Sequence, residues 1–204
     1  MADMESAEGP LAHLREHPEI IEADLQLMRS YPTGGGRVLD IGAGRGSFVT
    51  AASRRGYEAL GLEMQTGAVP LWRRLGVPGV IGDGSKAPFV DSSFQIVRLK
   101  EVIEHVEDPL SLVREARRLV RPGGLVIAHV PSPYSQLYPI GNFWDDYTHV
   151  RPLSRFGLRR LFADADLRVL RIDGYVAGRN HLERAFGKLL AIVLPHIYRV
   201  VARR

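Results

Sequence analysis

The 204-residue sequence predicts an α/β fold, a doubly wound and mostly parallel seven-stranded sheet with helices on both faces. Three observations predict it. From Arg37 onward, short apolar runs of strand length alternate with longer helix-like segments, the pattern of strands joined by crossover helices. The first run ends in a glycine-rich turn, RVLDIGAGRG at 37–46, where the opening strand of such a sheet meets its first helix. Apolar residues make up 45% of the chain and charged ones 25%, the balance of a folded globular domain and not of a disordered segment.

Each element follows in order. Leu14, Ile21, Leu25 and Met28 recur at helical spacing, so residues 11–31 should form one or two helices around Pro18. Residues 1–36 are therefore an N-terminal cap on a main domain spanning 37–204. Strands are expected near 37–41, 57–62, 79–82, 95–99 and 125–130, with helices near 46–55, 65–75 and 109–120. Gly67 and Pro70 make the second of these helices poor by propensity. Pro122-Gly123-Gly124 stops the third helix and turns the chain into the fifth strand.

A long connection follows, PSPYSQLYPIGNFWDDYTHVRP, whose length marks function and whose aromatic content argues against disorder. Residues 153–165 read as a helix with Ser154 as N-cap, and 167–172 as a strand. The tail HLERAFGKLLAIVLPHIYRVVARR admits two readings. It is either a basic amphipathic helix on a membrane surface or, preferred here, a buried helix to about Leu194 broken by Pro195, with IYRVVARR as the closing strand.

Composition excludes several chemistries. No cysteine occurs, which removes disulfides, thiolate nucleophiles and cysteine-bound metals together. The polar, acidic start MADMESAEGP lacks a secretion signal, and no apolar run reaches 18 residues, so a cytoplasmic protein is expected. Residues 1–36 carry two Arg against seven acids, while residues 149–204 carry twelve Lys and Arg against four acids. Because the basic charges are scattered, a solvated surface is preferred to a nucleic-acid patch; peripheral contact with a membrane stays open.

In a doubly wound sheet the ligand lies at the carboxyl ends of the strands, beside the first strand-to-helix turn. Gly42, Gly44 and Gly46 let the backbone there approach a ligand closely. Glu63, ending the second strand 21 residues beyond Gly42, is placed to accept both hydroxyls of a ribose. Two features argue against a dinucleotide. The G-x-G-x-x-G spacing would need glycine at Ser47, and Asp40 sets a negative charge where a pyrophosphate would sit. S-adenosylmethionine fits instead, offering adenosine to Glu63, cations to the acidic side and a carboxylate to the helix start.

At this point the motifs VLDIGAGRG, GLEM, IGDGSKAPFVDSSFQIV, LKEVIEHVEDP and EARRLVRPGGLVIAHVPSP resemble, in order and spacing, those of class I S-adenosylmethionine-dependent methyltransferases of the small-molecule, type 11 kind. The resemblance implies a Rossmann-like fold over 37–133, with THVRPLSRFGLRRLFADADLRVLRI similar to the family's C-terminal helix and strand. It implies Asp40, Gly42, Ala43 and Gly44 around the methionine part of the cofactor, Glu63 on the ribose and Met64 beside the adenine. Asp83 would accept from the adenine amino group, with Gly84 and Ser85 on the same edge. The backbone of Lys100 and Glu101 would flank the methionine chain, and His105 would shape the pocket. Gln95 and the Ala87-Pro88 pair depart from the family's usual Asp and Leu-Pro at positions that do not touch the cofactor.

Methyl transfer from a sulfonium needs chiefly an oriented acceptor, and a base only where the acceptor is weakly acidic. Asp145, Asp146 and His149 lie together in NFWDDYTHVRP, so an Asp146–His149 pair is the candidate base, against the alternative that His149 and Arg151 merely fasten the loop. A metal held by His149 and the two aspartates is the weaker reading, and no metal is expected. The loop's aromatics suggest a small-molecule acceptor with a flat or apolar surface, such as a hydroxyl of a sugar or lipid-linked glycan. Two rivals stand beside this reading: a catalytically silent cofactor-binding subunit and an NAD-dependent oxidoreductase. The oligomeric state is not legible.

Overall fold

The computed structural model describes residues 16–31, 36–137, 142–176 and 194–204. Seven strands form one sheet: β1 (Arg37–Ile41), β2 (Glu58–Glu63), β3 (Gly79–Ile81), β4 (Phe94–Lys100), β5 (Val120–Pro131), β6 (Arg168–Tyr175) and β7 (Ile197–Arg203). Their order is β3-β2-β1-β4-β5-β7-β6, with β1 to β5 parallel and β7 antiparallel to both β5 and β6. The order reverses between β1 and β4, which places the glycine turn after β1 at the switch point, where a doubly wound sheet opens its crevice.

The period-2 alternation of side chains sorts the core into two layers. Leu39, Ile41, Val97, Leu99, Val126, Ala128 and Val130 face one side, against α4 (Pro109–Leu119) and α5 (Arg155–Asp164). Val38, Ile96, Leu125, Ile127 and Val201 face the other, against α1 (Pro18–Ser30), α2 (Ser47–Ser53) and α3 (Ala68–Leu75). The central strands are buried on both faces, which is why their sequences run apolar without a polar alternation.

Several expectations are sharpened. Pro18 stands at the first position of α1, where its missing N–H costs nothing. Pro70 likewise falls in the first turn of α3, after Gly67 at the N-cap, so no interior hydrogen bond is lost. Ser154 caps α5 as expected, its hydroxyl accepting from the Gly157 amide at 3.0 Å. The end of the tail is strand β7, not a surface helix, inserted between β5 and β6. The expected helix up to Leu194 lies outside the described residues, as does residue 15 and all before it. Among the described residues, no helix is long and apolar enough to cross a membrane.

Candidate active site

The glycine turn is built by positive backbone angles. Gly42, Gly44 and Gly46 have φ of +73°, +50° and +75°, a region that residues with a Cβ enter only under strain. A Cβ on Gly42 would also come within 2.3 Å of the Val102 side chain. The amides of Gly42 and Ala43 both donate to the Leu62 carbonyl, at 2.8 and 3.1 Å, tying the turn to the end of β2. Glu63 then locks it: the Gly44 N–H donates to Oε2 and the Gln65 N–H to Oε1, each at 2.9 Å. Each carboxylate oxygen keeps a further lone pair for a ligand hydroxyl.

Trp72 supports this turn from α3. Its indole Nε1–H donates to the Gly44 carbonyl at 2.9 Å, and its ring lies so close to β2 and β3 that a Cβ on Gly79 would meet it at 2.3 Å. Met64 is exposed beside Glu63, while Asp83, Gly84 and Ser85 form a short 3-10 turn after β3. Asp83 Oδ1 accepts from the Ser85 amide at 2.8 Å. Gly84 is pressed against the end of β1, where a Cβ would lie 2.6 Å from Ile41.

Asp40 has a partner inside the protein. Its carboxylate accepts from Nη1 of Arg98, a fully buried guanidinium on β4, at 3.0 Å. Arg98 also holds Asp24 of α1 at 2.8 Å and pairs with Glu16, while its guanidinium lies over the Phe48 ring at 4.2 Å. His129 on β5 completes the cluster, with Nε2 2.9 Å from Asp24 and Nδ1 2.8 Å from the Tyr175 hydroxyl. Burial works against the charged form of Asp24, but His129 and Arg98 outweigh it and hold this carboxyl well below the usual range. Burial pushes Asp40 up to about 7, with Arg98 pulling the other way. Of these two acids, Asp24 is thus the fixed anion and Asp40 the one that a proton neutralises more readily.

A second cluster forms where β4 ends. Lys100 pairs with Glu101 at 2.6 Å, and Glu101 has the positive φ of +53°. The 3-10 turn Ile103–His105 follows, and the Val150 amide donates to the Glu104 carbonyl at 2.8 Å, folding the long connection back onto it. One donor atom each from Glu104, His105 and His149 lies within 4.8 Å of the others. The Glu104 side chain is fully buried, and neither of its oxygens has a hydrogen-bond partner among the described residues. Burial, and then Glu101, raise its carboxyl well above the ordinary value.

The expected pairing of Asp146 with His149 is replaced by another. Asp146 Oδ1 accepts from both the amide and the hydroxyl of Thr148, at 2.9 and 2.6 Å, because an aspartate two residues ahead of a turn amide caps that turn. Thr148 Oγ1 in turn lies 2.8 Å from His105 Nδ1. His149 Nδ1 bonds instead to the Phe143 carbonyl. Asp145 is also engaged, accepting from the Asn142 amide at 2.9 Å, and Arg151 fastens the loop to the Glu107 carbonyl at 2.6 Å. Trp144 and Tyr147 stay exposed on the loop surface.

With this geometry in place, comparison with known proteins decides the family. The family described as a methyltransferase domain matches residues 12–172. The chain belongs to it. This methyltransferase-domain chain is 40% identical over 108 residues to an uncharacterised methyltransferase of Mycobacterium sp. (strain KMS), which covers 52% of the chain and 43% of that relative. It is 34% identical over 103 residues to a ubiquinone biosynthesis O-methyltransferase of Paracidovorax citrulli (strain AAC00-1), covering 47% and 43%. The match thus spans less than half the length of these curated relatives. Among solved structures, an S-adenosylmethionine-dependent methyltransferase from Archaeoglobus fulgidus superposes with a TM-score of 0.73 at 22% identity, over 94% of this chain and 96% of that one, a likeness of fold.

Sequence reasoning missed Arg98, Asp24, Glu104 and Trp72. Arg98 had a local signal, a lone cation inside the apolar run FQIVRL of a strand buried on both faces, which requires a buried anion opposite. Glu104 had one too, its place beside His105 in LKEVIEHVEDP, whereas Trp72 had none, since its role arises from neighbours far along the chain.

Proposed function

We propose that this methyltransferase-domain chain binds S-adenosylmethionine in the crevice beside the glycine turn and transfers its methyl group to a small-molecule acceptor. The observation that carries the reading is Glu63, held by the Gly44 and Gln65 amides at the tip of β2 with a lone pair left on each oxygen for a ribose hydroxyl. Met64 offers an exposed apolar surface beside it, and Asp83 with Gly84 and Ser85 borders the same edge for an adenine. The Gly42–Gly46 backbone would carry the methionine portion, with Asp40 held beneath by Arg98 and with Lys100 and Glu101 opposite.

When bound, the cofactor supplies a methyl group already activated on a sulfonium. The chain's own residues would then orient the acceptor and exclude water. Trp144 and Tyr147 are exposed on the loop that folds over the ends of β4 and β5, and they offer flat faces to an acceptor. The ubiquinone biosynthesis relative favours a hydroxylated ring over the sugar or lipid-linked glycan suggested by the aromatics alone. His105 and His149, which lie together beside the turn after β4, are the candidate groups to take a proton from the acceptor.

Calorimetric titration with S-adenosylhomocysteine, the product, tests the reading. Binding by the unaltered chain is expected to weaken by roughly 100-fold in Glu63→Ala, the cost of two charge-assisted hydrogen bonds. No binding by the unaltered chain, or binding of NADH in its place, would overturn it.

A further inference from the structure

We propose that Glu104, His105 and His149 bind a divalent transition-metal ion of the Mn²⁺ to Zn²⁺ range at the mouth of the crevice. Three independent features converge there. The donor atoms lie within 4.8 Å of one another, and ligands about 2.1 Å from a shared tetrahedral ion stand roughly 3.4 Å apart. Small side-chain rotations close the remainder, because Glu104 and His105 are adjacent on one 3-10 turn and Val150, next to His149, is bonded to the Glu104 carbonyl.

Glu104 supplies the second feature. A fully buried carboxyl with both oxygens unpartnered among the described residues is an expensive arrangement unless something else satisfies it. A cation would do so. The acids around it agree in sign, since Glu101 and Asp146 both lie within electrostatic reach of Glu104, opposed by Lys100.

The third feature is the tautomer of each imidazole. A carbonyl only accepts, so His149 Nδ1 must donate its proton to the Phe143 oxygen. The single proton of the Thr148 hydroxyl goes to Asp146, so His105 Nδ1 must donate to Thr148. A neutral ring in either position therefore presents an unprotonated Nε2, the form that ligates a metal. Outer hydrogen bonds from Nδ1 to a carbonyl and to a carboxylate-backed hydroxyl are what fixes metal-binding histidines in place.

Two imidazoles and one carboxylate leave coordination positions open. At the crevice mouth an open position would hold an oxygen of the acceptor. That role rests on the methyl-transfer reading; ion binding itself does not.

The full chain, treated with chelator and dialysed, should bind one Mn²⁺ as followed by loss of the free-ion paramagnetic resonance signal. Co²⁺ should develop a visible absorption band that Zn²⁺ then removes. Glu104→Gln, which keeps the volume, and His149→Ala, on the loop, should each weaken Mn²⁺ binding by more than about tenfold. Both should retain S-adenosylhomocysteine binding and a cooperative melt. Failure of the unaltered chain to bind all three ions, or equal affinity in both variants, would overturn the site. A chain that binds the metal but not S-adenosylhomocysteine would uphold the site and refute the methyl-transfer reading instead.

Discussion

The molecule buries acids in two places near the same end of the sheet, and it treats them oppositely. Around Arg98, the carboxylates of Asp24, Asp40 and Glu16 share one guanidinium and His129 closes the far side, so every charge has a partner. Around Glu104, the carboxyl is equally buried and has none among the described residues. Both lie within a few residues of each other along β4 and the turn after it, so the contrast is not one of depth or location. It separates a closed cluster, which stitches α1 to β1, β4 and β5, from an open one, which waits for something the chain does not contain.

Breaking the closed cluster should have the largest effect. Arg98→Met removes the only cation that Asp40 and Glu16 bond among the described residues and leaves buried carboxylates unpaired. A loss of about 3–5 kcal/mol is expected in urea unfolding. A loss below about 1 kcal/mol would show that the cluster is peripheral to stability.

A smaller change isolates one anion. Asp24 titrates below its ordinary 3.8 in the folded chain, so it contributes stability that is fully present above that pH and lost as pH falls through the lower folded value. Asp24→Asn should therefore be less stable by about 2 kcal/mol at pH 7, with the gap closing below about pH 4. Asp40 has the opposite sign. Its raised value favours the folded state at low pH and that contribution fades as pH rises through about 7, so it cannot mimic the acid limb of Asp24.

The smallest effect should carry the opposite direction and sharpen the comparison most. Glu104→Met in chelator-treated protein replaces an unsatisfied carboxyl with an apolar chain of similar length. It should leave the fold unchanged or raise its stability by about 1 kcal/mol in thermal melts. Destabilisation by more than that would mean Glu104 has a partner within the chain and the cluster is not open.

Much of this architecture was legible in the residues. β1 begins and ends where its apolar run does, the glycine turn sits at the switch point, and Ser154 caps α5, because each depends on side chains a few positions apart. The closing strand after Pro195 was also readable, from Tyr198, Val200 and Val201, although its insertion between β5 and β6 was not. Pairing partners are set by which edge remains open after the other strands have docked, and no local pattern records that.

What the sequence determined alone was therefore the crevice and its floor: alternating strand and helix, three glycines with positive φ, and an acid at the tip of β2. Tertiary structure decided what the charged residues are for. Arg98 meets Asp24 across 74 positions and Asp40 across 58, and His149 reaches Glu104 only because the connection after β5 folds back to donate from Val150. Electrostatics in a buried site depends on distance and on exclusion of water, and both are properties of the packed chain.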